Sequence, residues 1–526
     1  MNFDRIRRYR YQLLLSVVLL VFSAIYFSSI TTEYIVSTGD NYTYEIFAQT
    51  VFSEHPFKVN LKFDFYDEHP IYHHQRSFPP LYPIFLAVMH LLFGQSMFVN
   101  LYATCVLGLL CALPTYYLGR QLWSPKLGVL AAAIALISPT LRSTSVLGMS
   151  EPLLTLFSLW ALYCLLLFRE NNRRLWLVVA GIFCGLGYLA RPTGLALAGA
   201  GLLYLLTEGG RDFHRRSLGE RLLDLLVFTG IFLLVSSPWL IRNYRIFGDP
   251  FYYVGRFFAG QEPGTLYATL DQRTLGELFS QTSLRELASR YGMALLARLK
   301  MIYQETGVLS LLILYGFFAG YYKRKHLLLF SYLALGILIT LLNPGQQIRH
   351  LVNLFPVVTV LGLISLASFY QFQRYHSLED YLHDNFWRKS FVLLFLVGLL
   401  MLAYESYQHE RQQDPYNELY PAMGKWLREH SDPNTVIMSD PTSPVYYYAQ
   451  RPLLMFPREV SRKQLAQTIV KYNVEYVLVL FEEQWQSIPR GFSLAKEFVR
   501  PIAGTELVAS ILKRNRRKRQ PPAASP

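Results

Sequence analysis

Carboxylates, imidazoles and guanidiniums are sparse in this chain, and they collect in polar stretches between long apolar ones. The first such stretch, residues 31–80, holds Asp40 and Glu45 in Gly39-Asp40-Asn41-Tyr42-Thr43-Tyr44-Glu45, then Asp64, Asp67, Glu68, His69, His73 and His74, and closes with Arg76 before Phe78-Pro79-Pro80-Leu81-Tyr82-Pro83. About fifty polar and aromatic residues greatly exceed the usual connection between elements, and such loops are functional or disordered. The aromatic content argues against a disordered tether. Later polar turns add Glu151, Arg191, Arg242 and Arg349-His350, and Glu305 lies near another boundary. A carboxylate can take a proton from a hydroxyl or an amine, and a guanidinium forks onto a phosphate. Together with the tyrosines, these groups fit an anionic, amphipathic partner such as a lipid phosphate.

The elements that must position them are apolar helices. The chain is 52% hydrophobic and only 16% charged, against about a quarter charged in soluble domains. That balance, with long apolar runs, reads as a polytopic membrane protein. The net charge of +14 does not point to nucleic acid, because Lys and Arg fall mostly in short turns between apolar segments, where they set membrane orientation. Cys105, Cys111, Cys164 and Cys184 all lie inside apolar segments and read as small buried hydrophobes, not as a disulfide or metal framework.

Arg5-Ile6-Arg7-Arg8-Tyr9-Arg10 precedes an apolar run from Leu13 to Ile30, long enough to cross a bilayer and too long for a cleaved signal core. It reads as an uncleaved signal anchor with a cytoplasmic amino terminus. The long loop then falls outside. Leu81–Phe93 is too short to span and reads as an interfacial helix. Spans follow at Met97–Leu118, Leu127–Ser138, Leu153–Phe168, Leu175–Ala190, Leu195–Thr207, Leu222–Leu240, Met301–Gly320, His326–Leu342, Leu351–Phe369 and Phe391–Tyr404. With the anchor this makes about eleven helices, and the basic turns alternate to the cytoplasmic side as the charge rule requires. The expected organisation is an α-helical membrane domain over 1–404, with external loops at 31–80 and 241–298, a soluble extracytoplasmic α/β domain over 405–512, and a basic disordered tail over 513–526. The soluble part rests on helical periodicity at Glu418–Glu429 and Ser461–Tyr472 and strand-like runs at Thr435–Ser439 and Tyr476–Phe481.

The loop Gly39-Asp40-Asn41-Tyr42-Thr43-Tyr44-Glu45-Ile46-Phe47-Ala48 resembles the first-loop signature of the GT-C glycosyltransferases, most closely the protein mannosyltransferase and aminoarabinose transferase-like group. Phe78-Pro79-Pro80-Leu81-Tyr82-Pro83, Ser150-Glu151-Pro152, Leu189-Ala190-Arg191-Pro192-Thr193-Gly194 and Ile348-Arg349-His350-Leu351 followed by Phe355-Pro356 resemble further landmarks of that group, in order, over roughly residues 10–370. The resemblance implies inverting transfer of a sugar from a polyprenyl-phosphate donor, in the cell (inner or plasma) membrane, to a glycan, lipid or protein acceptor on the extracytoplasmic face. It makes Asp40 the catalytic base or an acceptor-positioning group, of which the base is the reading taken here, with Glu151 orienting the acceptor or that Asp. Arg349, then Arg191 and Arg76, with His350 beside them, are the expected contacts to the donor phosphate. Tyr42, Glu45, Tyr82 and Glu305 are the candidates for contacting acceptor or sugar. Relatives often carry a basic residue directly before the proline of the second landmark, where this chain has Phe78. Arg76, two residues upstream, is the available substitute.

Each of these residues has a plainer reading. Asp40 can cap a turn or helix, Glu151 can favour a helix dipole, and Arg191 and Arg349 can be interfacial anchors. His69, His73 and His74 offer the one metal-binding arrangement, although Pro70 works against a regular helix there; no cofactor is otherwise demanded. Two other functions compete: a transporter or flippase of lipid-linked sugars, and a non-catalytic membrane binding protein. A transporter predicts ionisable groups at mid-membrane depth, and these spans are nearly free of charge.

Overall fold

A computed structural model describes residues 3–30, 39–62, 65, 69–76, 78–208, 217–252, 283–341, 347–373, 416, 418–457, 460–480, 482–502 and 505–515. The chain divides into two compact units. One comprises Met1–Tyr34, Arg76–Gly260 and Thr274–Gln412, and the other Ile35–Gln75, Gln261–Arg273 and Gln413–Pro526.

The first unit is helical. Among the described residues, six helices are long and apolar enough to cross a membrane: Tyr9–Ser28, Met97–Leu122, Glu151–Asn171, Leu218–Phe247, Arg324–Leu341 and Ile348–Tyr370. Two bent pairs, Pro125–Ile137 with Pro139–Val146 and Ala288–Thr306 with Val308–Phe318, raise the number to eight if each counts as one span. Leu175–Ala190 and Pro192–Thr207 are shorter apolar helices. Every expected span that falls on described residues is helical, but Met301–Gly320 is not one straight crossing. The chain turns by 111° where Thr306 gives way to Val308, through Gly307 at φ 54°, a conformation glycine reaches without steric cost. The turn expected at 138–152 contains a short helix, Pro139–Val146, whose cap residue Ser138 accepts from Leu141 N–H at 3.2 Å. Leu81–Phe93 is a 13-residue helix that buries Tyr82 and Leu86 and exposes Leu91, Leu92 and Phe93. The expected span Phe391–Tyr404 lies outside the described residues.

The bundle is packed by ordinary apolar burial. Leu159, Leu162 and Leu165 of one helix and Leu328, Leu329 and Tyr332 of another belong to a single buried cluster with Cys164 and Cys184, and all four cysteines are free and buried. Close approach of Leu175–Ala190 to Leu218–Phe247 depends on Gly185, where an added Cβ would lie 2.6 Å from Val235.

The second unit is α/β. Its strands are β1 (Lys58–Val59), β2 (Leu61–Lys62), β3 (His73–His74), β4 (Val436–Ser439), β5 (Leu453–Met455), β6 (Val474–Val479), β7 (Phe492–Ile502) and β8 (Thr505–Arg514). Six of them form one sheet in the order β2-β5-β4-β6-β8-β7. β2, β5, β4 and β6 run parallel, and β8 and β7 close the sheet as an antiparallel hairpin. Helices Leu419–His430 and Arg462–Lys471 stand where the periodicity puts them. The latter opens with a Ser461/Gln464 capping box, which satisfies two N–H groups that have no partner inside the helix. Leu465 and Ile469 bury against Met438, Leu454 and Val477. β8 continues to Arg514, so Lys513 and Arg514 are strand residues and not part of a disordered tail; residues 516–526 lie outside the described residues. The edge strand β2 comes from the first loop, and it pairs with β5 at Leu61↔Leu453 and Lys62↔Leu454.

Candidate active site

In the helical unit the structure brings Glu151, Arg191 and Arg349 together. Glu151 is the first residue of its helix, where a carboxylate is favoured by the dipole, and it is 1% exposed. Arg191 sits in extended backbone between Ala190 and a single 3-10 turn, Pro192–Gly194. Pro192 disfavours helix at the residue before it. Gly194 lets the turn fold back on the preceding helix, since a Cβ there would lie 2.5 Å from the Gly187 carbonyl carbon. Arg349 is carried by a second 3-10 segment, Ile348–Leu354.

Arg191 Nη1 lies 2.8 Å from Glu151 Oε1 and donates to Ser150 Oγ at 2.9 Å. Arg349 Nε is 3.8 Å from the same Oε1 and donates to Gln347 Oε1 at 2.5 Å. The Arg191 contact is short, yet it lies outside hydrogen-bond geometry: neither buried carboxylate oxygen of Glu151 accepts a hydrogen bond among the described residues. One carboxylate therefore stands against two guanidiniums in a mostly enclosed place. Electrostatic interactions are stronger there than in water. His350 follows in the same turn, half-buried, its N–H on the Gln347 carbonyl at 3.1 Å.

Arg76 begins this unit's share of the chain after the first loop. Its guanidinium lies over the rings of Phe247 and Tyr252, at 5.3 and 5.2 Å from the centroids. Arg242 lies over Trp239 at 4.4 Å and over Phe247 at 5.3 Å. Two guanidiniums thus share one aromatic ring, an arrangement that suits the flat, weakly hydrated face of Arg. A small cavity is lined by Arg76, Phe78, Pro79, Pro192, Trp239 and Asn243, so the Arg76 group adjoins the turn that carries Arg191. The pairing of Arg76 with Arg242 is not visible in the sequence, which separates them by more than 160 positions; the only signal is that Arg76 shortly precedes one apolar run and Arg242 closely follows another.

Tyr82 and Glu305 have interior partners. The Thr104 hydroxyl donates to the Asn100 carbonyl at 2.7 Å, so the Tyr82 hydroxyl donates to Thr104 Oγ1, also at 2.7 Å. Glu305, 5% exposed, accepts from the Thr140 N–H at 3.0 Å, the Thr140 hydroxyl at 2.7 Å and the Ser138 hydroxyl. These are the donors at the start of Pro139–Val146, which a helix leaves without internal partners.

The first-loop residues belong to the other unit. Asp40 is the first residue of helix Asp40–Thr50, half-buried, after Gly39 at φ 68°. Tyr42 and Glu45 are buried; the Tyr42 hydroxyl is 3.1 Å from that of Tyr448, and Glu45 accepts from Gln49 at 2.9 Å. His69 and His73 lie with ring centroids 4.2 Å apart, but Lys62 Nζ is 3.0 Å from a ring nitrogen of His69, and His73 Nδ1 is 2.8 Å from the Ile71 carbonyl. His74, in β3, pairs with Lys58. An ammonium at that distance competes with any cation, and among the described residues no group of three His, Cys, Asp or Glu side chains is placed to hold a metal. Asp67 and Glu68 lie outside the described residues.

Residues 77–241 match the sequence family described as dolichyl-phosphate-mannose-protein mannosyltransferase. No curated protein sequence matches the chain. Among solved structures, the oligosaccharyltransferase of Archaeoglobus fulgidus superposes with a TM-score of 0.64 at 16% identity, over 91% of this chain and 71% of that one. ArnT from Cupriavidus metallidurans, solved with undecaprenyl phosphate bound, gives 0.59 at 14% identity over 95% and 98%. The arabinofuranosyltransferase AftD from Mycobacteria gives 0.53 at 13% identity, over 96% of this chain and 41% of that one. With its apolar helices and its small mixed sheet, the chain is a multi-pass membrane protein with the GT-C glycosyltransferase fold.

Proposed function

We propose that this protein is a membrane glycosyltransferase that moves a sugar from a polyprenyl-phosphate donor to a hydroxyl or amine acceptor on the extracytoplasmic face, with inversion. The observation that carries the reading is the enclosed Glu151–Arg191–Arg349 group, whose two guanidiniums are the planar donors a phosphate takes and whose carboxylate accepts no hydrogen bond from the described residues. The match to a dolichyl-phosphate-mannose transferase family and the undecaprenyl phosphate held by ArnT support the donor class.

In the proposed step the acceptor oxygen or nitrogen attacks the anomeric carbon while the bond from that carbon to the phosphate oxygen breaks. The electron pair leaves on the lipid phosphate, and the acceptor proton goes to Asp40. A phosphate is a competent leaving group without prior protonation, so one base suffices. Arg349 and Arg191 stabilise the charge that grows on the phosphate, and Arg76 with Arg242 extends the basic surface towards the lipid. Glu151 holds the two arginines on one carboxylate oxygen and orients the acceptor.

The test is transfer by purified protein in liposomes loaded with a polyprenyl-phosphate sugar. Asp40→Asn keeps size and polarity but removes basicity and is expected to lower transfer at least about a hundredfold, the scale of general-base catalysis. Full transfer by that variant would exclude Asp40 as the base. Movement of lipid-linked sugar across the bilayer by the parent protein without a glycosylated product would replace the reading with a flippase.

A further inference from the structure

The residue assigned the acceptor proton stands at the end of a helix that cannot hold it in place unaided. Asp40–Thr50 has 11 residues and no side-chain cap hydrogen bond at its start. Isolated helices shorter than about 12–15 residues are marginal in water. Every residue from Asn41 to Ala48 is buried, so the helix lies where its packing partners put it. Among the described elements it packs on strand β1 and, more extensively, on the helix Thr442–Ala449 at the carboxyl end of β4.

The contact between the two helices runs through hydroxyls. Thr43 Oγ1 donates its proton to the Gly39 carbonyl at 3.0 Å, so in the 2.6 Å contact between Thr43 and Ser443 the Ser443 hydroxyl is the donor. The Gly39 carbonyl also takes the Thr43 N–H at 3.2 Å. Ser443 thus fixes Thr43, and Thr43 fixes the peptide immediately before Asp40. Beside this relay the Tyr42 hydroxyl meets Tyr448 at 3.1 Å, and the Tyr42 ring packs against Tyr447 at 5.2 Å. Burial, then the neighbouring Tyr448, raises the Tyr42 phenol well above its ordinary pKa, so it stays a neutral hydrogen-bonding group. Ser443 and Thr43 are 400 positions apart in the chain.

We infer that Ser443, acting through Thr43 and the Gly39 carbonyl, is a positioning residue for Asp40, so that the carboxy-terminal segment is a working part of the catalytic apparatus and not an appended domain. The inference rests on the reading of Asp40 as the base. A hydroxyl relay of this kind controls where the carboxylate stands, and a displacement of about 1 Å at a reacting group can cost as much as a hundredfold in rate.

The experiment uses the full-length protein in liposomes and compares Thr43→Val, which keeps the shape and loses the hydroxyl, Thr43→Ser, which keeps the hydroxyl, and Ser443→Ala, with kcat expressed per folded molecule. Thr43→Val and Ser443→Ala are each expected to lower kcat about tenfold, with KM for the lipid donor changed less than about twofold and Thr43→Ser near the parent. The Thr43→Val/Ser443→Ala double variant should be no slower than the worse single one, because both cut the same relay and contacting residues are not additive. Loss of folded protein with parental kcat in what remains would overturn the inference and leave a purely structural contact. So would parental kcat in Thr43→Val and Ser443→Ala while Asp40→Asn is inactive, an outcome that keeps the base and removes the relay. Full activity in Asp40→Asn would remove both.

Discussion

The two groups of candidate residues are held in opposite ways. Glu151, Arg191 and Arg349 each sit at a break that their own neighbours create: Pro152 inside the first turn of one helix, Pro192 and Gly194 in a 3-10 turn, and a second 3-10 turn after Gln347. Their positions are local decisions of the backbone, and the bundle only brings the breaks together. Asp40 is placed differently. Its helix is short, begins at a glycine with positive φ, and is buried on elements some 400 positions later in the chain. A charged cluster fixed locally tolerates change elsewhere, whereas a carboxylate fixed remotely is exposed to any change in what it leans on.

The largest effect should come from unbalancing the locally fixed cluster. Arg191→Met leaves the buried Glu151 facing only the 3.8 Å contact to Arg349, and removing one partner of a buried ion pair costs about 3–5 kcal/mol. A drop of that size in unfolding free energy, seen as a lower thermal midpoint, is expected together with loss of transfer. The double variant Glu151→Gln/Arg191→Met should regain most of the stability and none of the transfer. If the double variant stays as unstable as the single one, the cluster is not held by its charges.

Arg349→Lys comes next. It preserves the charge and loses the planar fork. A charge-assisted hydrogen bond contributes roughly 1.5–3 kcal/mol, so KM for the lipid donor should rise about tenfold or more while the protein remains as stable as the parent. An unchanged KM would move the phosphate away from Arg349 and towards the pair formed by Arg76 and Arg242 on Phe247.

The same contrast explains what can be read from the residues alone. The apolar helices, the α/β character of the carboxy-terminal segment and the breaks at Pro152 and Pro192 follow from hydrophobic period and from proline and glycine chemistry, which act on near neighbours. The bend at Gly307 is harder, because an apolar run reads the same whether straight or turned by 111°. The partners of Glu305 and Tyr82 are hidden for a different reason. A carboxylate that caps Pro139–Val146 and one that meets a sugar are the same residue in the same apolar surroundings, and only the distance to Thr140 separates them. The strand Leu61–Lys62 is two residues long, too short for any period to register, although it carries the first loop into the sheet.

The smallest expected effect lies in the tyrosines around the remotely held helix. Burial, then the charge of Glu45 and the neighbouring Tyr448, pushes the Tyr447 phenol up to about 12. A phenol whose folded pKa lies above its unfolded value of about 10 gives its full contribution to stability below that pH, and loses it as the pH climbs through the folded value. Between about pH 10 and 12 the parent should therefore lose stability more steeply than Tyr447→Phe, which cannot ionise. Because Glu45 is one source of the shift, Glu45→Gln should make that loss smaller and end it at a lower pH than in the parent. Parallel pH curves for parent and Tyr447→Phe would mean that the phenol is as well solvated in the fold as in the open chain. The packing of Asp40–Thr50 on Thr442–Ala449 would then be too loose to hold a base to within an ångström, and the contrast between the two groups would collapse into two locally fixed sites.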